Sequence, residues 1–203
     1  MKKFELVTES KINWSGKTLY RIRALIQFET RTGSTVLPGD LGGYVEKEEN
    51  LSHEGKAWLY RDAKVWGNSK VCGDAEVWGN AKVCGDAKVC GDAEVFSPEH
   101  VLTITPLGGY ANSCTFFRLR TKEIGVSFRL ELMSLSAFKN LICRWGNKNH
   151  KAVAELAIKA AEQHIDLEDE APFGRCLGCK KEFNSELING YDIAHCPWCG
   201  MKI

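Results

Sequence analysis

The chain has 203 residues, with 27 Lys and Arg against 26 Asp and Glu, so its formal net charge at pH 7 is +1. A near-neutral chain lacks the strong positive charge with which proteins hold bulk nucleic acid or an anionic membrane. The sequence contains no long apolar run, and its first ten residues, MKKFELVTES, lack the apolar core of a signal peptide. We therefore expect a cytoplasmic protein without a membrane partner.

Residues 1–44 are predicted to form an N-terminal β cap. Two apolar runs, at 4–7 and 19–26, are separated by Trp14-Ser15-Gly16-Lys17, and this pattern predicts a hairpin with its turn at Ser15 and Gly16. A repeat array needs such a cap, because an unpaired strand edge promotes aggregation.

Residues 45–98 carry a six-residue repeat. From Ala57 the hexads read AWLYRD, AKVWGN, SKVCGD, AEVWGN, AKVCGD, AKVCGD and AEVFSP. Positions one and three of each hexad fall on one side of a strand and are small or aliphatic, so we expect them to face inward. Gly with Asn or Asp at positions five and six predicts a tight corner after each strand.

The repeat resembles the hexapeptide repeat of left-handed parallel β-helices, in which three hexads make one triangular coil. The predicted fold class is therefore mainly β, with a short left-handed parallel β-helix of about three coils, followed by a small α+β module and a zinc ribbon. The resemblance implies that residues 18 apart stack at the strand spacing of roughly 4.8 Å.

This stacking gives the repeat three outer faces. One face is aromatic and acidic, with Trp58, Tyr60, Glu76, Trp78, Glu94 and Phe96. The other two are basic, with Lys64 and Lys82 on one and Lys70 and Lys88 on the other. Contiguous exposed aromatic residues mark an interface, and two interpretations stay open. Either flanking segments of the chain cover the column, or Trp58, Tyr60, Trp78 and Phe96 lie in a homotrimer interface between acidic and basic faces.

The segments TLYRI at 18–22, GDLGGYVE at 39–46 and NLS at 50–52, followed by the hexads, resemble a family of phage and prophage proteins with hexapeptide repeats and a C-terminal zinc ribbon. The resemblance implies a protein that acts in the host cytoplasm on a host component, such as a defence effector or its nucleotide messenger.

Residues 99–165 are predicted to form an α+β module. Apolar patterns at 101–105, 114–120 and 125–132 predict three strands, and Ser134 or Ser136 is expected to cap a first helix. A second helix is predicted from 151 to 164, with Val153, Leu156, Ala160 and Ala161 on its buried stripe. PLGG at 106–109, TFFR at 115–118 and NKNH at 147–150 resemble a module of the same phage-type proteins.

The Gly-rich loop of this module is a candidate ligand site. A loop between two strands that exposes several backbone N–H groups suits an anion, and the two arginines on the following strand are expected to point to one side of it. The candidate ligand-binding residues are Gly108, Gly109, Tyr110, Asn112, Arg118 and Arg120. A phosphate or nucleotide site and a plain hairpin with solvated arginines both stay open.

The acidic residues 166–172, which end in a proline, are predicted to be a linker, and residues 173–203 are predicted to be a zinc ribbon. Two C-x2-C pairs, Cys176 with Cys179 and Cys196 with Cys199, are separated by 16 residues. This is the spacing of a structural Zn²⁺ site, in which four thiolates leave no open coordination position.

Cys72 and Cys90 also lie 18 residues apart. Stacking at this period would bring them close enough for a disulfide. In a reducing cytosol, however, we expect them to act as small apolar residues.

The sequence favours a non-catalytic, oligomeric binding protein whose partner is a host protein or a nucleotide, with a homotrimer as the preferred assembly. One alternative is nucleic-acid binding through the zinc ribbon, whose basic and aromatic residues are Lys180, Lys181, Phe183, Tyr191, Trp198 and Lys202. Another is an acyltransferase, because many left-handed β-helices use a histidine base. Only His53 and His100 lie in or beside the hexads, neither has a carboxylate at an evident spacing, and we predict no catalytic residue.

Overall fold

A computed structural model describes residues 1–108, 112–129 and 131–168, together with the backbone of two further strands at 173–175 and 182–184. The chain divides into two compact units, Met1–Leu167 and Glu168–Ile203. In the second unit, β17 (Phe173–Arg175) pairs antiparallel with β18 (Glu182–Asn184). The strands, helices and cores described below all belong to the first unit.

The N-terminal segment contains five strands: β1 (Phe4–Trp14), β2 (Lys17–Ala24), β3 (Phe28–Glu29), β4 (Thr35–Val36) and β5 (Leu41–Val45). The hexads contain seven strands of two residues each: β6 (Trp58–Leu59), β7 (Lys64–Val65), β8 (Lys70–Val71), β9 (Glu76–Val77), β10 (Lys82–Val83), β11 (Lys88–Val89) and β12 (Glu94–Val95). Short 3-10 helices, Glu48–Asn50 and Pro98–His100, flank this region. The remaining elements are β13 (Val101–Ile104), β14 (Cys114–Arg118), β15 (Ile124–Phe128), β16 (Glu131–Ser134), α1 (Leu135–Cys143) and α2 (Lys148–His164).

The hexad strands pair in parallel with a register of 18 residues. We call β5, β7 and β10 the first ladder, β8 and β11 the second ladder, and β6, β9 and β12 the third ladder. The side chains at positions one and three point inward as expected, because the alanines and valines there are at most 2% exposed. Each strand is short because a corner follows it, as at Gly67 and Gly85, whose φ angles are 75° and 69°.

The predicted fold class is wrong. The described residues of the first unit form mixed α and β structure in five separate sheets with two α-helices, and they contain no closed or continuous solenoid sheet. The corners leave only two paired residues per hexad strand, so the three ladders remain separate sheets. The first ladder continues into antiparallel strands, in the order β1-β2-β5-β7-β10.

The N-terminal strands cover parts of the ladders. The predicted hairpin is confirmed: β1 pairs with β2 around a turn at Ser15 and Gly16, and β2 then pairs antiparallel with β5. The β3–β4 hairpin lies against the third ladder, where the Phe28 and Trp58 rings are 5.4 Å apart in an edge contact.

The segment after the hexads forms a four-stranded antiparallel sheet in the order β13-β14-β15-β16, one strand more than predicted. Ser134 caps α1, because its Oγ accepts a hydrogen bond from the Ala137 N–H at 3.2 Å. The two helices pack against this sheet in a second core. Among the described residues, no α-helix has both the length and the apolar character needed to cross a membrane.

The predicted buried stripe of α2 is wrong except for Ala161. The buried residues of this helix are Ala154, Ala157, Ile158 and Ala161. Val153 is 46% exposed and Leu156 is 65% exposed. The sheet and α1 therefore pack against a face of small residues, and two larger apolar side chains point to solvent.

Strand β14 and the residue pair after it run along the last strands of the second and third ladders. Leu119 pairs antiparallel with Ala93, and the Arg120 N–H donates to the Asp92 carbonyl at 3.2 Å. The Lys88 N–H donates to the Thr115 hydroxyl at 3.0 Å. These bonds satisfy backbone groups that a ladder leaves open at its last strand.

Two corner glycines give a matched test of how closely the repeats stack. Gly73 and Gly85 have φ angles of 68° and 69°. A Cβ added at Gly73 would lie 2.8 Å from the Gly91 nitrogen, whereas one added at Gly85 would have nothing within 4 Å. Gly85→Ala should lower the free energy of unfolding by about 1–2 kcal/mol through left-handed backbone strain alone.

Gly73→Ala should cost at least about 1 kcal/mol more, because backbone must move as well. Urea unfolding measures both changes. Equal losses in the two variants would contradict the close stacking of these corners.

Candidate functional site

Position two of the hexads carries outward charged residues in every ladder. The 18-residue register places residues of like charge opposite each other on neighbouring strands. Lys82 pairs with Lys64 in the first ladder, Lys88 with Lys70 in the second, and Glu94 with Glu76 in the third. Like charges directly opposite each other destabilise a sheet. Each ladder therefore needs a partner for its charged pair.

In the first ladder the partner is an aromatic ring. Trp14, at the end of β1, lies with its ring centroid 4.8 Å from the Lys64 ammonium and 4.9 Å from that of Lys82. Lys64 is 9% exposed, and its Nζ also donates to the Asp62 carbonyl at 2.8 Å. Burial lowers the pKa of the Lys64 ammonium.

In the third ladder, two different segments bind the two carboxylates. The Glu76 Oε1 accepts hydrogen bonds from the Thr32 N–H at 3.0 Å and the Thr32 hydroxyl at 3.1 Å. Glu94 forms an ion pair with Arg118 at 2.9 Å, and the Arg118 guanidinium also lies 4.9 Å from the Phe96 ring. Glu76 is only 2% exposed, and its burial raises the pKa of its carboxyl group.

The second ladder differs from both. Within the described part of the chain, Lys70 and Lys88 have no acidic partner within ion-pair distance and no aromatic ring over their ammonium groups. They line an open groove with a volume of about 450 Å³ between the second ladder and strands β14 and β15. We call this the cationic groove.

Side chains from both sides line the cationic groove. Its charged residues are Lys70, Lys88, Arg129 and Asp86, so positive charge exceeds negative. Its uncharged polar residues are Asn68, Asn112, Ser113, Thr115 and Ser127. Arg129, at the end of β15, has no ion-pair partner among the described residues, and its guanidinium lies 5.3 Å from the Phe128 ring.

The Thr115 hydroxyl is the most constrained polar group of the groove. Thr115 is 1% exposed, and its Oγ1 accepts hydrogen bonds from the Lys88 N–H at 3.0 Å and the Thr103 hydroxyl at 3.3 Å. A hydroxyl has two acceptor lone pairs and one donor hydrogen. Both lone pairs are therefore used, and the donor hydrogen has no acceptor among the described residues.

The structure does not assemble the predicted ligand site around the Gly-rich loop. Gly109 and Tyr110 lie outside the described residues. Gly108 packs so closely against Trp145 that a Cβ added at this glycine would lie 2.6 Å from the ring. Asn112 lines the cationic groove. Arg118 and Arg120 lie at the opposite end of β14, where Arg118 is 2% exposed and bound to Glu94. The described residues therefore do not bring the two arginines together with Asn112 in one site.

The aromatic column is covered rather than exposed. Trp58, Trp78 and Phe96 are 1%, 6% and 8% exposed. The rings of Tyr60 and Trp78 stack at 3.5 Å, and the Tyr60 hydroxyl donates to Thr30 of the β3–β4 hairpin at 3.1 Å. Of the two interpretations of this face, cover by the chain's own segments is the one observed. The homotrimer stays a prediction, without an exposed aromatic column to support it.

Cys72 and Cys90 form a disulfide with a Cα–Cα distance of 4.6 Å. The expected closeness of the two residues is confirmed, and the expectation that they act as small apolar residues is wrong. Each cysteine follows a lysine of the second ladder by two residues and so shares its side of the strand. The disulfide therefore links the two strands that carry Lys70 and Lys88.

Both candidate histidines make structural contacts. The His53 Nδ1 accepts a hydrogen bond from the Lys3 N–H at 3.1 Å, and its Nε2 contacts the Glu48 carboxylate at 2.6 Å. A carboxylate partner thus exists that the sequence spacing did not reveal. Both ring nitrogens are engaged, however, so His53 is not placed as a free base. His100 is fully buried, and its Nδ1 accepts from the Phe96 N–H at 3.4 Å.

The predicted zinc ligands Cys176, Cys179, Cys196 and Cys199 lie outside the described residues, and the zinc ribbon stays a prediction. The basic and aromatic side chains named for nucleic-acid binding, from Lys180 to Lys202, also lie outside the described residues, and that alternative stays a prediction. Within the described ranges, no group of three or more Cys, His, Asp or Glu side chains is arranged to hold a metal ion.

Sequence reasoning missed the cationic groove, although its main signal was present. The register of 18 placed Lys70 over Lys88 and marked their face as basic. The partners from β14 and β15, such as Thr115 and Ser127, have no sequence signal, because only the fold brings them to that face.

In comparisons with known proteins, no family model matches the chain and no curated protein matches it.

The buried ion pair between Arg118 and Glu94 predicts a strongly non-additive pair of substitutions. Glu94→Gln should lower the free energy of unfolding by about 3 kcal/mol, because it removes the carboxylate that pairs with the buried Arg118 guanidinium at 2.9 Å. Adding Arg118→Met should recover at least about half of that loss. A double-mutant cycle by urea unfolding measures the coupling.

The exposed pair Lys139 with Glu162, whose side chains are 48% and 41% exposed, serves as the control. Glu162→Gln should change the free energy of unfolding by less than about 1 kcal/mol. Additive losses from Glu94→Gln and Arg118→Met would contradict the buried pair.

The raised pKa of Glu76 predicts a pH effect of defined sign. The native state holds the Glu76 proton at a higher pH than the unfolded chain does. Its contribution to the free energy of unfolding therefore increases as the pH falls through the raised pKa toward the ordinary value of 4.5. Relative to the Glu76→Gln variant, the wild type should gain stability between pH 7 and pH 5.

Urea unfolding at the two pH values measures this difference. Glu9→Gln, which removes an exposed carboxylate of β1, is the control and should show no such gain. A wild type that loses stability relative to Glu76→Gln on acidification would contradict the assignment.

Proposed function

We propose that the protein is a non-catalytic binding protein that captures a small phosphate-bearing molecule in the cationic groove. The observation that carries this proposal is the Lys70 and Lys88 pair, which lies in register on adjacent strands. Two unit charges about 5 Å apart in water repel by about 0.8 kcal/mol. A bridging anion attracts both ammonium groups and so offsets that repulsion, as the cation–π contacts with Trp14 do for the equivalent pair of the first ladder.

The Thr115 hydroxyl supports the same ligand chemistry. Its hydrogen is available to donate, because its two lone pairs already accept hydrogen bonds from Lys88 and Thr103. A phosphate oxygen in the groove would accept from Thr115 and lie between the two ammonium groups. Arg129 adds a planar donor group suited to the same oxygens.

The groove is also held rigid before a ligand arrives. The Cys72–Cys90 disulfide links the two lysine-bearing strands, and the Lys88 N–H bond to Thr115 fixes the second ladder to β14. Preorganised donors bind more tightly because less conformational entropy is lost on binding. These features favour retention of a ligand.

Binding without catalysis is supported by the contacts of the histidines. His53 holds the N-terminal strand to the 3-10 helix through Lys3 and Glu48, and His100 is fully buried. A general base must reach the proton it abstracts. The acyltransferase alternative therefore gains no support from either side chain.

The resemblance to phage and prophage proteins supports a ligand that comes from a host cell, such as a nucleotide messenger. The cytoplasmic location and the homotrimer stay predictions. The Cys72–Cys90 bond counts against the location, because disulfides are rare in a reducing cytosol.

Phosphate titration of lysine variants tests the proposal. Lys70→Gln and Lys88→Gln should each weaken binding of inorganic phosphate about tenfold, equivalent to about 1.4 kcal/mol. Lys82→Gln occupies the same hexad position under Trp14 and should leave phosphate affinity unchanged. Isothermal titration calorimetry at low ionic strength measures all four proteins, including the wild type.

Two results would reject the groove as the site. One is a wild type that does not bind phosphate, and the other is an equal loss of affinity in Lys82→Gln and Lys70→Gln. Thermal unfolding gives an independent measure, because phosphate should raise the Tm of the wild type more than that of Lys88→Gln.

A further inference from the structure

The cationic groove has a second zone, made of hydrogen-bond acceptors rather than cations. Asn68 and Asp86 precede Lys70 and Lys88 by two residues and lie at the corners before β8 and β11. The Asn68 Nδ2 donates to the Asp86 Oδ1 at 3.1 Å. This contact orients the pair and leaves the Asn68 Oδ1 and the Asp86 Oδ2 without a partner among the described residues.

From these two zones we infer that the ligand is a phosphate ester of a polyhydroxylated molecule, such as a sugar phosphate or a nucleotide. Its phosphate lies at Lys70, Lys88 and Thr115, and its hydroxyl groups donate to Asn68 and Asp86. This inference rests on the proposed function and names the class of molecule that the groove takes.

The charge of Asp86 separates this ligand class from simple anions. A carboxylate near the phosphate position repels a bare anion and weakens its binding. It accepts hydrogen bonds from hydroxyl groups, however, and a hydrogen bond to a charged group is stronger than a neutral one. An acceptor pair in an otherwise cationic groove therefore selects ligands that carry both a phosphate and hydroxyl donors.

The spacing of the two zones fits a compact ester. Residues two apart in an extended chain are separated by at most about 7 Å. The Cα atoms of Asn68 and Lys70, and those of Asp86 and Lys88, therefore lie within this distance of each other. A single sugar unit joined to its phosphate is of this size, so one small molecule reaches both zones at once.

Two phosphate esters of equal charge test the inference. Ribose 5-phosphate carries ring hydroxyls, and methyl phosphate carries none. The wild type should bind ribose 5-phosphate about tenfold more tightly than methyl phosphate, as expected for one hydrogen bond to a charged group. Isothermal titration calorimetry measures both affinities for the wild type, Asp86→Ala and Asn68→Ala.

The two variants have different expected results. Asp86→Ala removes a negative charge as well as an acceptor, so methyl phosphate should bind at least as tightly as in the wild type, while the tenfold preference for ribose 5-phosphate disappears. Asn68→Ala preserves the charge of Asp86, so methyl phosphate affinity should not change and the preference should fall. A lost preference with undiminished methyl phosphate binding in Asp86→Ala cannot come from general loss of structure.

The outcomes separate this inference from the proposed function. If the wild type binds neither ester, the proposed function is wrong. If it binds both esters equally, or if Asp86→Ala keeps the tenfold preference, the groove binds phosphate but the inference about hydroxyl recognition is overturned.

Discussion

The 18-residue register of the hexad ladders determines which outward charges meet. Because the hexads repeat, each outward side chain lies over a residue of the same kind on the neighbouring strand, as Lys88 lies over Lys70 and Glu94 over Glu76. Inside the ladders this repetition is favourable, since identical Val and Ala side chains are almost fully buried. Outside, it places like charges together, and each pair needs a stabilising partner from outside the repeat.

The chain meets this requirement with segments that are not repeats. The end of β1 brings Trp14 over two lysines, the β3–β4 hairpin brings Thr32 to Glu76, and β14 brings Arg118 to Glu94. The second ladder faces the groove instead. The same physical requirement thus accounts for the covered faces and for the basic pair of the second ladder, which faces a space large enough for a ligand.

Sequence periodicity predicted the residues that face inward and the residues that stack, because both follow from the hexad itself. It did not predict which segments cover each face, since Thr32 and Thr115 carry no pattern that refers to the ladders. Periodicity also favoured the larger side chains of α2, whereas the helix buries small residues around Ile158. The fold class was wrong for a related reason: the repeat predicted a continuous β-helix of about three coils and gave no information on the antiparallel strands that extend its first ladder.

The position of β14 also restricts how copies of this protein associate. Open strand edges are the usual route by which β-rich proteins polymerise. Here Leu119 and Arg120 bond to Ala93 and Asp92, and Thr115 takes the Lys88 N–H, so these backbone groups are no longer open to a neighbouring molecule. A neighbouring molecule therefore cannot extend the second and third ladders by pairing with the backbone groups of these residues.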